Sequence, residues 1–175
     1  MMPTQGYGDL DGWFDALSSS RPVPAVGAAT ALSAAMAASV LAKVARRSRD
    51  HMADAADHVA DAEHLRDSLL ALAQEDGPSF RRAMTLSHAG DPNAMSIASA
   101  VPWRVAVVSA DVGVLGVKLG AAGNPNLYHD AHGAATLAAS CARVAADLVR
   151  ANLGRGSAVD TSARVARHAA DLVKE

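Results

Sequence analysis

The chain has 175 residues, 50% of them hydrophobic but only 3% aromatic, and a formal net charge of −2. That size suits one domain, 1–175, with a core of its own, and the near-balanced charge gives no footing for nucleic acid or an anionic membrane surface. The single cysteine, Cys141, excludes an internal disulfide and a multi-cysteine metal site, and the opening MMPTQGYGDLDGW lacks the basic-then-apolar pattern of a secretory signal. A reducing, cytoplasmic location is therefore expected.

In chain order, Asp9 to Ser18 predicts a short helix, with Asp9 as N-cap and Leu10, Trp13, Phe14 and Leu17 on one face. Pro22 and Pro24 force an extended approach to a helix over Val26 to Ser48. That helix is apolar enough to suggest a membrane span. Its apolar residues are mostly Ala, however, with Ser33, Ser39 and Lys43 interspersed, so a buried helix is the better expectation. The basic cluster Arg46, Arg47 and Arg49 complements a helix C-terminus and is also a candidate anion site. Asp50 to Gln74 carries a near-heptad stripe of Met52, Ala55, Val59, Ala62, Leu65 or Arg66, Leu69 and Leu72, beside a stripe of Asp50, Asp54, Asp57 and Asp61 with His51, His58 and His64 near it, a face expected to be solvated rather than metal-binding.

Glu75-Asp76-Gly77-Pro78 predicts a helix break, with Asp76 capping a new helix that ends at His88 to Pro92. Asn93 to Ala122 is predicted helical, with Pro102 kinking or restarting it, and Gly113, Gly116 and Gly120 allow a neighbouring helix to approach closely. Ala134 to Leu153 is helical by the same reading, and Ser157 to Lys174 forms a final amphipathic helix. No strand pattern emerges. The fold class expected is all-α, a bundle of long antiparallel helices.

Most chemistry-bearing residue types gather in one polar break, Gly123 to Gly133, which holds Asn124, Asn126, Tyr128, His129, Asp130 and His132. A carboxylate beside imidazoles can move protons near neutral pH. Asp130 also suits the N-cap of a helix starting near His132, and the asparagines suit a turn. Residues as close as His129, Asp130 and His132 rarely converge on one ion, so no metal is expected.

Several segments together resemble the cyclodeaminase/cyclohydrolase family, which comprises methenyltetrahydrofolate cyclohydrolases and the cyclodeaminase part of formiminotransferase-cyclodeaminase. Pro22-Val23-Pro24-Ala25-Val26-Gly27-Ala28 resembles its P-T-P-G-G-G-S start, and Asp76 to Met84 its D-x-x-A-F-x-x-V-M segment. Val101-Pro102 is similar to its mid-helix V-P. Gly123-Asn124-Pro125-Asn126 with Asp130-Ala131 resembles its G-N-x-N-x-x-S-D-A, and Val149 to Leu153 its V-R-I-N-L.

The resemblance implies a homodimeric helical enzyme working on a tetrahydrofolate derivative as substrate or carrier. Hydrolysis of a methenyl bridge stands ahead of formimino cyclisation, since no formiminotransferase part is present in the sequence. It implies Asp130 as the proton-handling carboxylate and Asn124, Asn126, Pro24 and Gly27 as substrate contacts. An anionic substrate tail would fall to Arg46, Arg47, Arg150 or Arg155, with Arg150 taken as the substrate-binding candidate.

This sequence departs from the pattern in three places. Only Gly27 remains of the glycine run. His88 stands where the family has a lysine, and His129 and His132 flank Asp130 where it has Ser and Gly. His88, His129 and His132 accordingly join Asp130 as catalytic candidates. Two other readings follow from these departures: a divergent relative acting on the C–N bond of a non-folate molecule, and a non-catalytic helical binding dimer.

Overall fold

The structure is a computed structural model, and it describes residues 10–153 together with Arg164, Arg167, His168 and Asp171. Among the described residues up to Leu153 there are five helices: α1 (Leu10–Ser18), α2 (Val26–Arg46), α3 (Ala55–His88), α4 (Ala94–Ala122) and α5 (Tyr128–Leu153). A single 3₁₀ turn, Pro125–Leu127, joins α4 to α5. No strand occurs among the described residues, so the all-α expectation holds. Asp9, Arg155 and most of the helix expected over Ser157 to Lys174 lie outside the described residues.

Helices α2 to α5 run up and down in turn, each antiparallel to its neighbours. Arg46 of α2 pairs with Glu63 of α3, and Arg104 of α4 reaches Glu75 of α3 at 2.8 Å. Two ends result. At what we call the break end, the C-termini of α2 and α4 meet the N-termini of α3 and α5. At the proline end, Pro22 to Gly27 meets the second half of α3, the start of α4 and the end of α5.

The core is built of small side chains. Ala31, Ala34, Ala38, Leu41 and Ala45 of α2 are wholly buried, or nearly so, as are Ala62, Leu69 and Leu72 of α3, Val105, Val112 and Leu119 of α4, and Ala131, Ala138 and Ala145 of α5. Small residues let helix axes approach closely. At Gly116 a Cβ would fall 2.8 Å from the Ala135 Cβ, so glycine is what allows the α4–α5 crossing. Both α2 and α4 are long and apolar enough to cross a membrane, but half or more of each apolar window is buried inside the bundle.

Most of the α3 stripe behaves as predicted, with Val59 and Leu65 only partly buried. Met52, Ala55, Ala62, Leu69 and Leu72 are buried, while Asp50, Asp54, Asp57 and Asp61 face water. In α1 the expected apolar face is only partly used: Trp13 is buried, but Leu10 and Phe14 are largely exposed.

Four boundaries differ from the sequence-based expectation. Helix α3 begins at Ala55 rather than Asp50, and α2 stops at Arg46. The break at Gly77-Pro78 does not occur, because α3 runs through it. Pro78 removes one helical bond, the one to the Gln74 carbonyl; Gln74 is exposed, so water can satisfy it, and burial of Leu72, Ala73 and Ala83 holds the helix on either side.

Pro102 likewise neither restarts nor ends α4. The carbonyl it orphans, on buried Ala98, accepts a hydrogen bond from Asn152 Nδ2 at 3.3 Å. The fourth difference is at α5, which starts at Tyr128 rather than Ala134. The Asn124 side chain accepts the Asn126 N–H at 3.0 Å and so caps the 3₁₀ turn, which feeds straight into α5.

Candidate active site

At the break end, buried Ser48 and Asn124 tie α2 to the α4–α5 connection. Asn124 N–H donates to Ser48 Oγ at 2.9 Å, and Asn124 Nδ2 donates to the Arg47 carbonyl at 3.1 Å. Both polar ends of the Asn124 side chain are thus engaged within the protein, whereas Asn126 is exposed. Asp130 lies in the first turn of α5, so it does not cap a helix starting near His132. A carboxylate there complements the helix dipole. Asp130 and His129 are exposed and His132 is half-buried. The imidazoles turn to the Tyr128 ring rather than to Asp130: His132 stacks on it at 5.8 Å between centroids, and His129 meets it edge-on at 5.3 Å.

The remaining candidates sit at the proline end. Pro24 is half-buried and Gly27 is buried in the first turn of α2. Arg150 is exposed in the last turn of α5 and pairs with Asp147 at 3.2 Å. His88 is exposed at the end of α3, about 18 Å along the helix from Asp76 at ~1.5 Å per residue. Asp130 and Arg150 stand twenty residues apart on α5, and Gly27 lies nineteen residues before the end of α2, so the two groups of candidates are ~30 Å apart. A single chain therefore does not bring Asp130, His129 and His132 together with Pro24, Gly27, His88 and Arg150.

Asp76 is a residue whose surroundings the sequence hid. It does not cap a helix of its own; it reaches from within α3 to the start of α2. A Cβ on Gly27 would lie 2.4 Å from Asp76 Oδ1 and 2.7 Å from Oδ2, and the Ala28 N–H donates to this carboxylate. Burial raises the Asp76 carboxyl above the ordinary carboxylate value, partly opposed by that N–H. The Arg81 guanidinium lies 3.6 Å from the position a Cβ on Gly77 would take, one helical turn further along α3. The one local signal for this arrangement was the lone glycine in Pro22-Val23-Pro24-Ala25-Val26-Gly27.

A third polar group lines an open groove of about 410 Å³ between α3 and α4. Buried His58 stands 3.1 Å from Asp54 and 3.5 Å from Asp61, and Lys118 pairs with Asp54 at 3.3 Å, which lowers the Asp54 pKa. The sequence reading of this face as solvated thus holds for its carboxylates and fails for His58. Among the described residues no group of three or more His, Cys, Asp or Glu is gathered to hold a metal ion.

Comparison with known proteins places this geometry in a family context. The sequence profile of formiminotransferase-cyclodeaminase matches residues 9–171. The fold is similar to the crystal structure of formiminotetrahydrofolate cyclodeaminase from Thermotoga maritima, with a TM-score of 0.85 and 25% identity, over 95% of this chain and 93% of that one. No curated protein matches the chain in sequence.

Proposed function

The chain belongs to the formiminotransferase-cyclodeaminase family, and from that premise we propose that it acts on a one-carbon derivative of tetrahydrofolate, closing a 5-formimino group onto the neighbouring nitrogen and releasing ammonia. The observation that carries this reading is the agreement of nearly the whole bundle with a formiminotetrahydrofolate cyclodeaminase at 25% identity.

In such a reaction the formimino group enters as its protonated =NH2+ form. The second nitrogen attacks its carbon and loses its proton, while the C=N electron pair moves onto the nitrogen to leave an amino group. That amino group takes up the released proton, the C–N bond to it breaks, ammonia leaves, and a methenyl cation remains. A carboxylate beside the new cation stabilises it, and a positioned acid–base group moves the proton. Asp130 is the candidate for the first task; His129, His132 and His88 are candidates for proton carriage, and Pro24, Gly27, Asn124, Asn126 and Arg150 for holding substrate. Hydrolysis of the methenyl bridge is the second reading, favoured by the two imidazoles beside Asp130, which suit activation of water.

The ~30 Å between the two groups of candidate residues in one chain supports a homodimer with the site between copies. The outward sides of α2 and α5 expose Met36, Val40, Leu137 and Val144, an apolar stripe that a second copy would cover. A two-fold axis across the bundle pairs each break end with the partner's proline end.

The experiment is direct. Purified protein is given 5-formiminotetrahydrofolate or 5,10-methenyltetrahydrofolate, and the cation's absorbance is followed beside an Asp130→Asn variant, with light scattering for mass. Turnover of either compound by a dimer, weakened in the variant, supports the reading. Protein indistinguishable from buffer with both compounds refutes it.

A further inference from the structure

The groove between α3 and α4 contains none of the residues assigned to the folate reaction. His58 and Asp61 of α3 and Asp111 and Lys118 of α4 line it, together with the apolar side chains of Leu65 and Val114. With Asp54, which pairs with Lys118, three carboxylates meet one ammonium there, a surplus of two negative charges. Asp111 forms no ion pair among the described residues. Although it is exposed, partial burial raises its carboxyl above the ordinary carboxylate value.

His58 does not remove the surplus. Its side chain is more than nine-tenths buried, with Nε2 3.1 Å from Asp54 and Nδ1 3.5 Å from Asp61. A neutral imidazole donates from one nitrogen only, so it can answer one of these carboxylates and not both. Its Nε2 has no aligned hydrogen-bond partner.

We propose that this groove binds an aliphatic diamine, with Asp61 and Asp111 each holding one ammonium group and Leu65 and Val114 holding the carbon chain between them. Two positive charges match the surplus of two. The pairs Asp54–Lys118 and Glu75–Arg104 set the register of α3 against α4. They place Asp61 and Asp111 within about one helical turn, ~5 Å, of each other along the bundle. A short chain spans that distance, and a groove of about 410 Å³ has room for it. A bare metal ion is poorly served, since among the described residues no three donors gather to hold one. The carboxylates stand partly in water, so the dissociation constant expected is about 1 mM.

The test is calorimetric titration of the full chain with 1,4-diaminobutane at fixed ionic strength, beside NMR of the histidine rings. Saturable binding that moves the His58 and His64 signals is expected. Asp111→Asn should weaken it about tenfold, the loss of one charge-assisted hydrogen bond. Butylamine, with a single ammonium, should bind wild type about tenfold more weakly for the same reason. Val114→Lys, which tethers an ammonium inside the groove, should abolish binding and stands in if Asp111→Asn fails to fold. No saturation by about 10 mM diamine, or an affinity unchanged in both variants or for butylamine, overturns the proposal. The folate reading is judged on turnover and is untouched by either result.

Discussion

Gly27→Ala separates what the α2 terminus does for stability from what it does for chemistry. The added methyl would sit 2.4 Å from Asp76 Oδ1, where ordinary contact begins near 3.4 Å, so the carboxylate must retreat by about 1 Å. Retreat weakens the Ala28 N–H bond, at ~1 kcal/mol for a lost cap. Replacing glycine by alanine within a helix returns up to ~1 kcal/mol. The two terms nearly cancel, and at ~2–4 °C per kcal/mol for a chain of this size the melting temperature should move by only a few degrees. If Asp76 is a reacting group of the folate site, catalysis has no such offset. A displacement of ~1 Å in such a group can lower the rate ~100-fold, equivalent to ~2.7 kcal/mol in the barrier. The assay is kcat/KM on 5-formiminotetrahydrofolate beside calorimetric melting, for Gly27→Ala, Asp76→Asn and the double variant. Because both changes remove the same carboxylate from its place, the double variant should be no slower than the slower single one. Full activity in Gly27→Ala, or losses that multiply in the double variant, would refute the reasoning.

Four further outcomes are expected. Burial raises the Asp76 carboxyl in the folded state, so the unfolded chain releases that proton first, and this group's contribution to stability falls as pH rises from 3.8 through the folded value. Urea titrations across that window should show a flatter pH dependence for Asp76→Asn, and identical slopes would count against the burial argument. Asn152→Ala leaves the buried Ala98 carbonyl unsatisfied and should destabilise by ~1–3 kcal/mol in urea unfolding. If the site lies between copies, inactive Asp130→Asn and Asp76→Asn proteins, refolded together, should recover about a quarter of wild-type activity, since half the dimers then hold one intact site; no recovery refutes a site that joins these two residues across the copies. The Cys141 thiol, pushed up to about 11 by burial, should resist disulfide reagents at pH 8 in the native protein and react at once in denaturant.

What could be read from the sequence follows the range of the forces involved. The long Ala- and Val-rich stretches of α2 and α4, and the heptad stripe of α3, announce helices because their periodicity is local and repeated. Misreadings fell where a local breaker is overruled by a distant partner. Pro102 looks like an interruption until Asn152, fifty residues on, supplies the missing donor. The Gly123 break looks eleven residues long until Asn124 caps the turn that starts α5 at Tyr128. Asp76 reads as a cap because Asp before Gly-Pro commonly is one; its real neighbour, Gly27, is 49 positions away, and no periodicity links them. The break-end residues fall together because they are contiguous. That Pro24, Gly27, His88 and Arg150 lie at the opposite end follows only from the antiparallel course of the helices.

The repair of Pro102 also constrains how this chain can change. A proline that costs a hydrogen bond and an asparagine that restores it are not independent letters. Asn152 can be lost without harm only after Pro102 has given way to a residue with its own N–H, which re-forms the α4 ladder. The opposite order passes through a protein with a bare carbonyl in its core. Drift at these two positions is therefore directional, with the proline leaving first.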